Sequence, residues 1–154
     1  MFSKKIKQVT GVLMAGFLIG VTATLASAAP LRGPFINTPT YVVNNQYYRY
    51  TAWSEIDRTA ANNMKSQTYI NNQVEWEAVP AGYIGAQTAL YKDGALVASS
   101  SPSYTDFPTY AHVATEINTY GYGNYSAKGV VYVYKGNGYD SFITNQTPAM
   151  AGGF

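Results

Sequence analysis

The chain has one histidine, no cysteine and eight carboxylates, so the chemistry open to it is narrow. A zinc site needs three or four ligands drawn from His, Cys and carboxylates. A single imidazole, His112, set between Ala111 and Val113, falls short of that set. His112 could still serve a Ser-His-acid triad, because such groups assemble across space. No G-x-S-x-G elbow frames a serine, however, and the serines cluster in loop-forming stretches. His112 therefore reads as a strand residue facing solvent or a neighbouring tyrosine. Glu75 and Glu77 share one strand face roughly 7 Å apart by strand rise, a geometry that paired glycosidase carboxylates could use. Their alternate neighbours Val74, Trp76 and Ala78 are the residues that want a core. Both glutamates are then left on a wet surface, where nothing raises a carboxyl pKa. Asp93 belongs to a turn, and no D-x-D-x-D loop gathers oxygens for calcium. No catalytic residue, metal or cofactor is expected.

Tyrosine is the remaining signal. All fifteen tyrosines lie beyond residue 40, well above ordinary usage. Tyr47 and Trp53 fall on the strand face that carries Arg49, Glu55 and Asp57, while Tyr132 and Tyr134 alternate with Val131 and Val133. Aromatic bodies with polar tips suit contact with sugars, peptides or another protein. Cross-strand ladders that stabilise a sheet are the competing explanation. Tyr47, Trp53, Tyr132 and Tyr134 are the candidate binding residues.

The elements that must position them are strands. YYRYTAWSEID, residues 47–57, alternates with Tyr48, Tyr50, Ala52, Ser54 and Ile56 on one face. RTAANNMK, residues 58–65, reads as a loop or one helical turn. SQTYI and QVEWEAV flank Asn71-Asn72, where asparagine tolerates positive φ, so a hairpin is expected there. YIGAQTALY, residues 83–91, puts Ile84, Ala86, Thr88 and Leu90 on one face. Asp93-Gly94 is a strong hairpin signal. A two-residue loop would set Leu90 opposite Val97 and Tyr91 opposite Leu96, and a bulged loop would shift that register. YAHVATEINT alternates Ala111, Val113, Thr115 and Ile117 against Tyr110, His112, Ala114, Glu116 and Asn118, and Gly136-Asn137-Gly138 closes a last hairpin. No helix-period segment of useful length intervenes. The expected fold is all-β: a single small antiparallel β-sandwich or flattened barrel, disulfide-free, spanning 47–154. Residues 29–46 are expected as a loosely ordered arm with one short edge strand at Tyr41–Val43.

The first 28 residues have the layout of a secretory signal peptide: Lys4, Lys5 and Lys7, an apolar run, then Ala26-Ser27-Ala28. Cleavage is expected between Ala28 and Ala29, with the protein secreted and no stable membrane anchor afterwards. Three of the ten basic residues precede residue 29, so the remainder carries seven against eight acids, a formal charge of −1. No basic patch argues for nucleic acid.

GYIGAQTALYKDGALVASSS and SAKGVVYVYKGNGYDSF together resemble small, largely uncharacterised secreted proteins of Bacillus-type Gram-positive bacteria. Those carry a G-x-x-G-A-Q-x-x-L-Y strand and a late G-N-G-Y hairpin. The resemblance covers residues 79–143 and implies extracellular β-structure without specifying an activity. The expected function is a non-catalytic binding or interaction module whose partner is an extracellular glycan, a cell-wall surface or a protein surface. The alternatives are a bacteriocin-like toxin acting on cell envelopes, or a hydrolase whose site the sequence does not mark.

Overall fold

The computed structural model describes residues 29–60, 63–74, 77–118 and 121–152, and every regular element among them is a β-strand. The expected signal segment 1–28, and Glu75 and Trp76, lie outside the described residues. In chain order the strands are β1 (Leu31–Arg32), β2 (Ile36–Asn37), β3 (Tyr41–Val43), β4 (Gln46–Tyr48), β5 (Tyr50–Ala60), β6 (Asn63–Asn72) and β7 (Ile84–Lys92). There follow β8 (Ala95–Ser99), β9 (Ser103–Tyr104), β10 (Ala111–Asn118), β11 (Gly123–Tyr134), β12 (Tyr139–Ile143) and β13 (Met150–Gly152). One sheet runs β1-β5-β6-β10 with β2 also on β5; a second runs β12-β11-β7-β8 with β13 on β11 and β9 on β7. β3 and β4 form a separate hairpin. The fold is all-β and antiparallel, as expected. It is two open sheets and a hairpin, which excludes the flattened-barrel alternative as a closed form.

Period-two alternation decides which residues lie between the sheets. From β5 the inward set is Tyr50, Ala52, Ser54 and Ile56; from β7 it is Ile84, Ala86, Thr88 and Leu90, and all eight are fully buried. Each large apolar side chain so buried contributes about 1.5–3 kcal/mol relative to exposure. The apolar core falls into two clusters, one around Tyr50, Ile70, Ile84 and Val131, the other around Ile56, Met64, Leu90 and Tyr125. Between them lies a belt of hydroxyls. Ser54 Oγ meets Thr68 Oγ1 at 2.9 Å and Thr144 Oγ1 at 2.6 Å, and Thr68 Oγ1 donates to Thr88 Oγ1 at 3.0 Å. The Thr68–Thr88 bond joins the first sheet to the second. Gly129 makes room for the belt, since a Cβ there would overlap the Thr68 hydroxyl and the Gln87 carbonyl.

Several local expectations are corrected. The arm 29–46 is not loose: β1 and β2 pair with β5, and Thr38 and Tyr50 exchange bonds at 2.9 Å and 3.0 Å. The strand at Tyr41–Val43 does form, as half of the β3–β4 hairpin. Its turn, Asn44-Asn45, has both φ values positive, at 53° and 62°. Asn71-Asn72 is not a turn. It lies inside β6, flanked by Tyr50 and Thr51 on one side and by Ala111 and Tyr110 on the other. A strand paired on both edges cannot fold back at that point. Of residues 58–65, the described ones are strand: Arg58–Ala60 continue β5 and Asn63–Lys65 begin β6. The strand expected after Asn72 is absent from its described residues, apart from a single Val79–Thr109 bridge.

At the Asp93-Gly94 turn Tyr91 does face Leu96, but a bulge then sets Leu90 opposite Ala98 rather than Val97. The bulge lets Val97 and Ala98 both pack on the second cluster. In β10 the apolar set points outward: Val113 is 41% and Ile117 53% exposed, while Ala114 is buried.

Candidate functional site

The outer face of the first sheet is a regular grid, because register fixes which side chains stand beside one another. Arg49 and Gln73 form one end, the Gln73 backbone N–H donating to the Arg49 carbonyl at 2.8 Å. Asn37, Thr51, Asn71 and Ala111 form the next row; Trp53, Tyr69 and Val113 the next; Arg32, Glu55, Gln67 and Thr115 the one after.

The aromatic row is held rigidly. Trp53 and Tyr69 stack with centroids 4.9 Å apart and planes 8° from parallel. The other side of the indole is covered by the edge of Phe35 at 5.2 Å and by the Arg32 guanidinium, 5.1 Å from the ring. Glu55 ties the group together. Its Oε1 accepts from the indole Nε1 at 2.9 Å and from Arg32 Nε at 2.7 Å, and its carboxylate acts on the Tyr69 hydroxyl beside it. Burial, and then the Glu55 charge, push the Tyr69 hydroxyl pKa up. Trp53 is thus fixed with both faces covered, and it presents an edge rather than a platform.

That edge walls an open cleft of about 580 Å³ lined by Asn37, Arg49, Thr51, Trp53, Asn71, Asn72 and Gln73. Part of its polar lining is committed. Asn37 Oδ1 accepts from Gln73 Nε2 at 2.7 Å and from Thr51 Oγ1 at 2.9 Å, and Asn72 Nδ2 donates to the Glu77 carbonyl at 3.0 Å. Among the described residues, Asn37 Nδ2, Gln73 Oε1, the Asn71 amide and the Arg49 guanidinium have no such partner. The cleft combines preset amides and one cation with an indole wall, which equips it to hydrogen-bond hydroxyl and carboxylate groups. No carboxylate or histidine is among its described lining residues.

Tyr132 and Tyr134 do not join Trp53. They stand on the outer face of the second sheet, on the opposite side of the core. There the rings form a continuous run: Tyr132 to Tyr104 at 5.6 Å, Tyr104 to Tyr139 at 4.9 Å, Tyr139 to Tyr134 at 5.6 Å and Tyr134 to Tyr83 at 5.1 Å. Their hydroxyls are engaged internally. Tyr132 donates to Gln87 Oε1, Tyr134 to the Gly136 carbonyl and Tyr139 to the Gly82 carbonyl. Gly85 accommodates this run, its missing side chain leaving room for the Tyr104 ring. Tyr134, Tyr83 and Tyr139 line a second cleft of about 400 Å³. With the hydroxyls of Tyr132, Tyr134 and Tyr139 donated within the protein, the run fits a stabilising ladder. Tyr47 lies apart again, 73% exposed on the β3–β4 hairpin opposite Val42. The four candidates therefore do not form one patch, and Trp53 alone of them lines the cleft described above.

Sequence reasoning missed Asn37, Asn71 and Gln73. No local signal marks them, because they meet only through the β2–β5–β6 register. It also missed the partner of His112, whose Nε2 lies 2.8 Å from Ser103 Oγ. The Ser103 hydroxyl also donates to the Ala86 carbonyl at 3.3 Å. This contact pins β9 to β10 where the sheets meet. Burial lowers the His112 pKa, against a smaller upward pull from Ser103 and Asp106. Glu77 is exposed, and its presumed mate Glu75 lies outside the described residues. Among the described residues no three His, Asp or Glu side chains converge to hold a metal. No protein-family model, curated protein or solved structure matches this chain.

Proposed function

We propose that the chain is a secreted, non-catalytic β-sandwich module that binds an extracellular glycan through the cleft beside Trp53. The observation that carries this reading is the cleft's uncommitted hydrogen-bonding set, Asn37, Asn71, Gln73 and Arg49, held beside an immobilised indole. Amide and guanidinium groups match the paired donors and acceptors of vicinal hydroxyls. A wall fixed in advance lowers the ordering cost of binding. The tyrosine run on the opposite face then serves stability, not recognition.

Retention of the purified protein on peptidoglycan, cellulose, chitin and whole cells tests the reading. At least one matrix should retain the protein, and Trp53→Ala with Gln73→Ala should reduce that retention while Tyr134→Phe leaves it unchanged. Failure to bind any matrix, or loss with Tyr134→Phe and not with the cleft pair, counts against it.

A further inference from the structure

Resting on that reading, we infer that the ligand of the Trp53 cleft is an acidic glycan, a polyhydroxyl chain whose carboxylates meet Arg49. The charges of the sheet single this residue out. On this sheet Arg32 pairs with Glu55 and Lys65 with Asp57, at 2.6 and 3.2 Å. Arg49 has no carboxylate partner among the described residues, and no described carboxylate lines the cleft. The outer-face acids further along the same sheet, Glu55 and Asp57, are held by Arg32 and Lys65. The described lining of the cleft thus carries one positive charge and no negative one, on a chain whose residues 29–154 carry a formal charge of −1. Attraction by the overall field cannot explain acid binding here, so any selectivity must be local.

The geometry of the group suits the task. A guanidinium presents a planar fork that takes a carboxylate through two parallel bonds. Arg49 sits at the end of the row beyond Asn37, Thr51 and Asn71, so the carboxylate and the ring hydroxyls of one sugar can be held together. Because the indole N–H is engaged by Glu55, the wall adds apolar contact and no competing donor. Uronic-acid polymers present a carboxylate and hydroxyls together on each acidic residue.

The test measures binding to polygalacturonate, alginate and hyaluronan, and to polygalacturonate whose carboxylates have been reduced to alcohols. At least one acidic polymer should bind, the reduced polymer should bind about tenfold or more weakly than its parent, and added salt should weaken the acidic complex. Arg49→Gln should lose about the same factor on the acidic polymer and clearly less on the reduced one, and Arg49→Lys should recover only part. Arg49 is exposed, so unchanged melting of the variant confirms that its fold is intact. Equal affinity for acidic and reduced polymer, with Arg49→Gln silent or binding indifferent to salt, overturns the acidic assignment and leaves glycan binding standing. Binding to none of the acidic polymers together with retention on a neutral matrix does the same. Binding to no glycan of either kind overturns both.

Discussion

Trp53 and Tyr69 face one another across β5 and β6 with their rings 4.9 Å apart and 8° from parallel. The stack is a direct product of antiparallel register, which sets the two residues opposite each other on the solvent side. Tyr69 backs the indole while Glu55 fixes its nitrogen, so the cleft wall depends on a residue that does not line the cleft.

Tyr69→Ala should therefore destabilise the fold by about 1–3 kcal/mol, and it should also free the indole. A lower denaturant midpoint, with weakened near-ultraviolet dichroism from Trp53 and weaker glycan retention, is the expected result. Retention unchanged despite the lost stack would show that wall rigidity is irrelevant.

The two Asn-Asn pairs show how far the sequence could be read. Asn44-Asn45 and Asn71-Asn72 offer the same local chemistry, yet only the first turns. The second is captured between β5 and β10, an outcome decided by partners about twenty residues upstream and about forty downstream. Strand faces in β5 and β7, and the Asp93-Gly94 and Gly136-Asn137-Gly138 turns, were legible because period-two burial and positive φ are local properties. The site was legible only in Trp53. Asn37, Asn71 and Gln73 come together through register, while Tyr132 and Tyr134 carry the same aromatic signal on the other sheet.

Gly129 tests the hydroxyl belt. Gly129→Ala forces a methyl into the Thr68 hydroxyl and the Gln87 carbonyl. Both lie in a closely packed interior, so the cost should exceed about 3 kcal/mol. Thermal or denaturant unfolding measures it. A loss below about 1 kcal/mol would mean that the belt is loosely packed.

Alkaline pH should unfold the protein through its tyrosines. Burial, followed by the Asp140 hydrogen bond, raises the Tyr41 pKa from 10.0 to about 12, and burial raises Tyr48, Tyr50, Tyr69, Tyr132 and Tyr139 as well. The raised folded values mean that this stability is complete below pH 10.0 and is lost as pH climbs through the folded pKa values. The tyrosinate absorbance contributed by these six side chains should appear late and together with loss of β-sheet dichroism.

His112 acts at the other end of the scale. Its folded pKa lies below the ordinary imidazole value of 6.5, because burial disfavours the imidazolium. The unfolded chain then takes up the proton first, so stability is full above 6.5 and declines as pH falls towards the folded value. His112→Gln, which keeps a polar contact for Ser103, should flatten the stability profile from about pH 7 to about pH 5. An unchanged slope in that variant would assign the acid sensitivity to other groups.

The most direct test of the central claim is a residue-resolved amide and indole NMR titration of the protein with a glycan that it retains. Shifts should concentrate at Asn37, Arg49, Thr51, Trp53, Asn71 and Gln73, leaving Tyr83, Tyr132, Tyr134 and Tyr139 unmoved. Shifts centred on the tyrosine run, with the Trp53 cleft silent, would contradict the assignment.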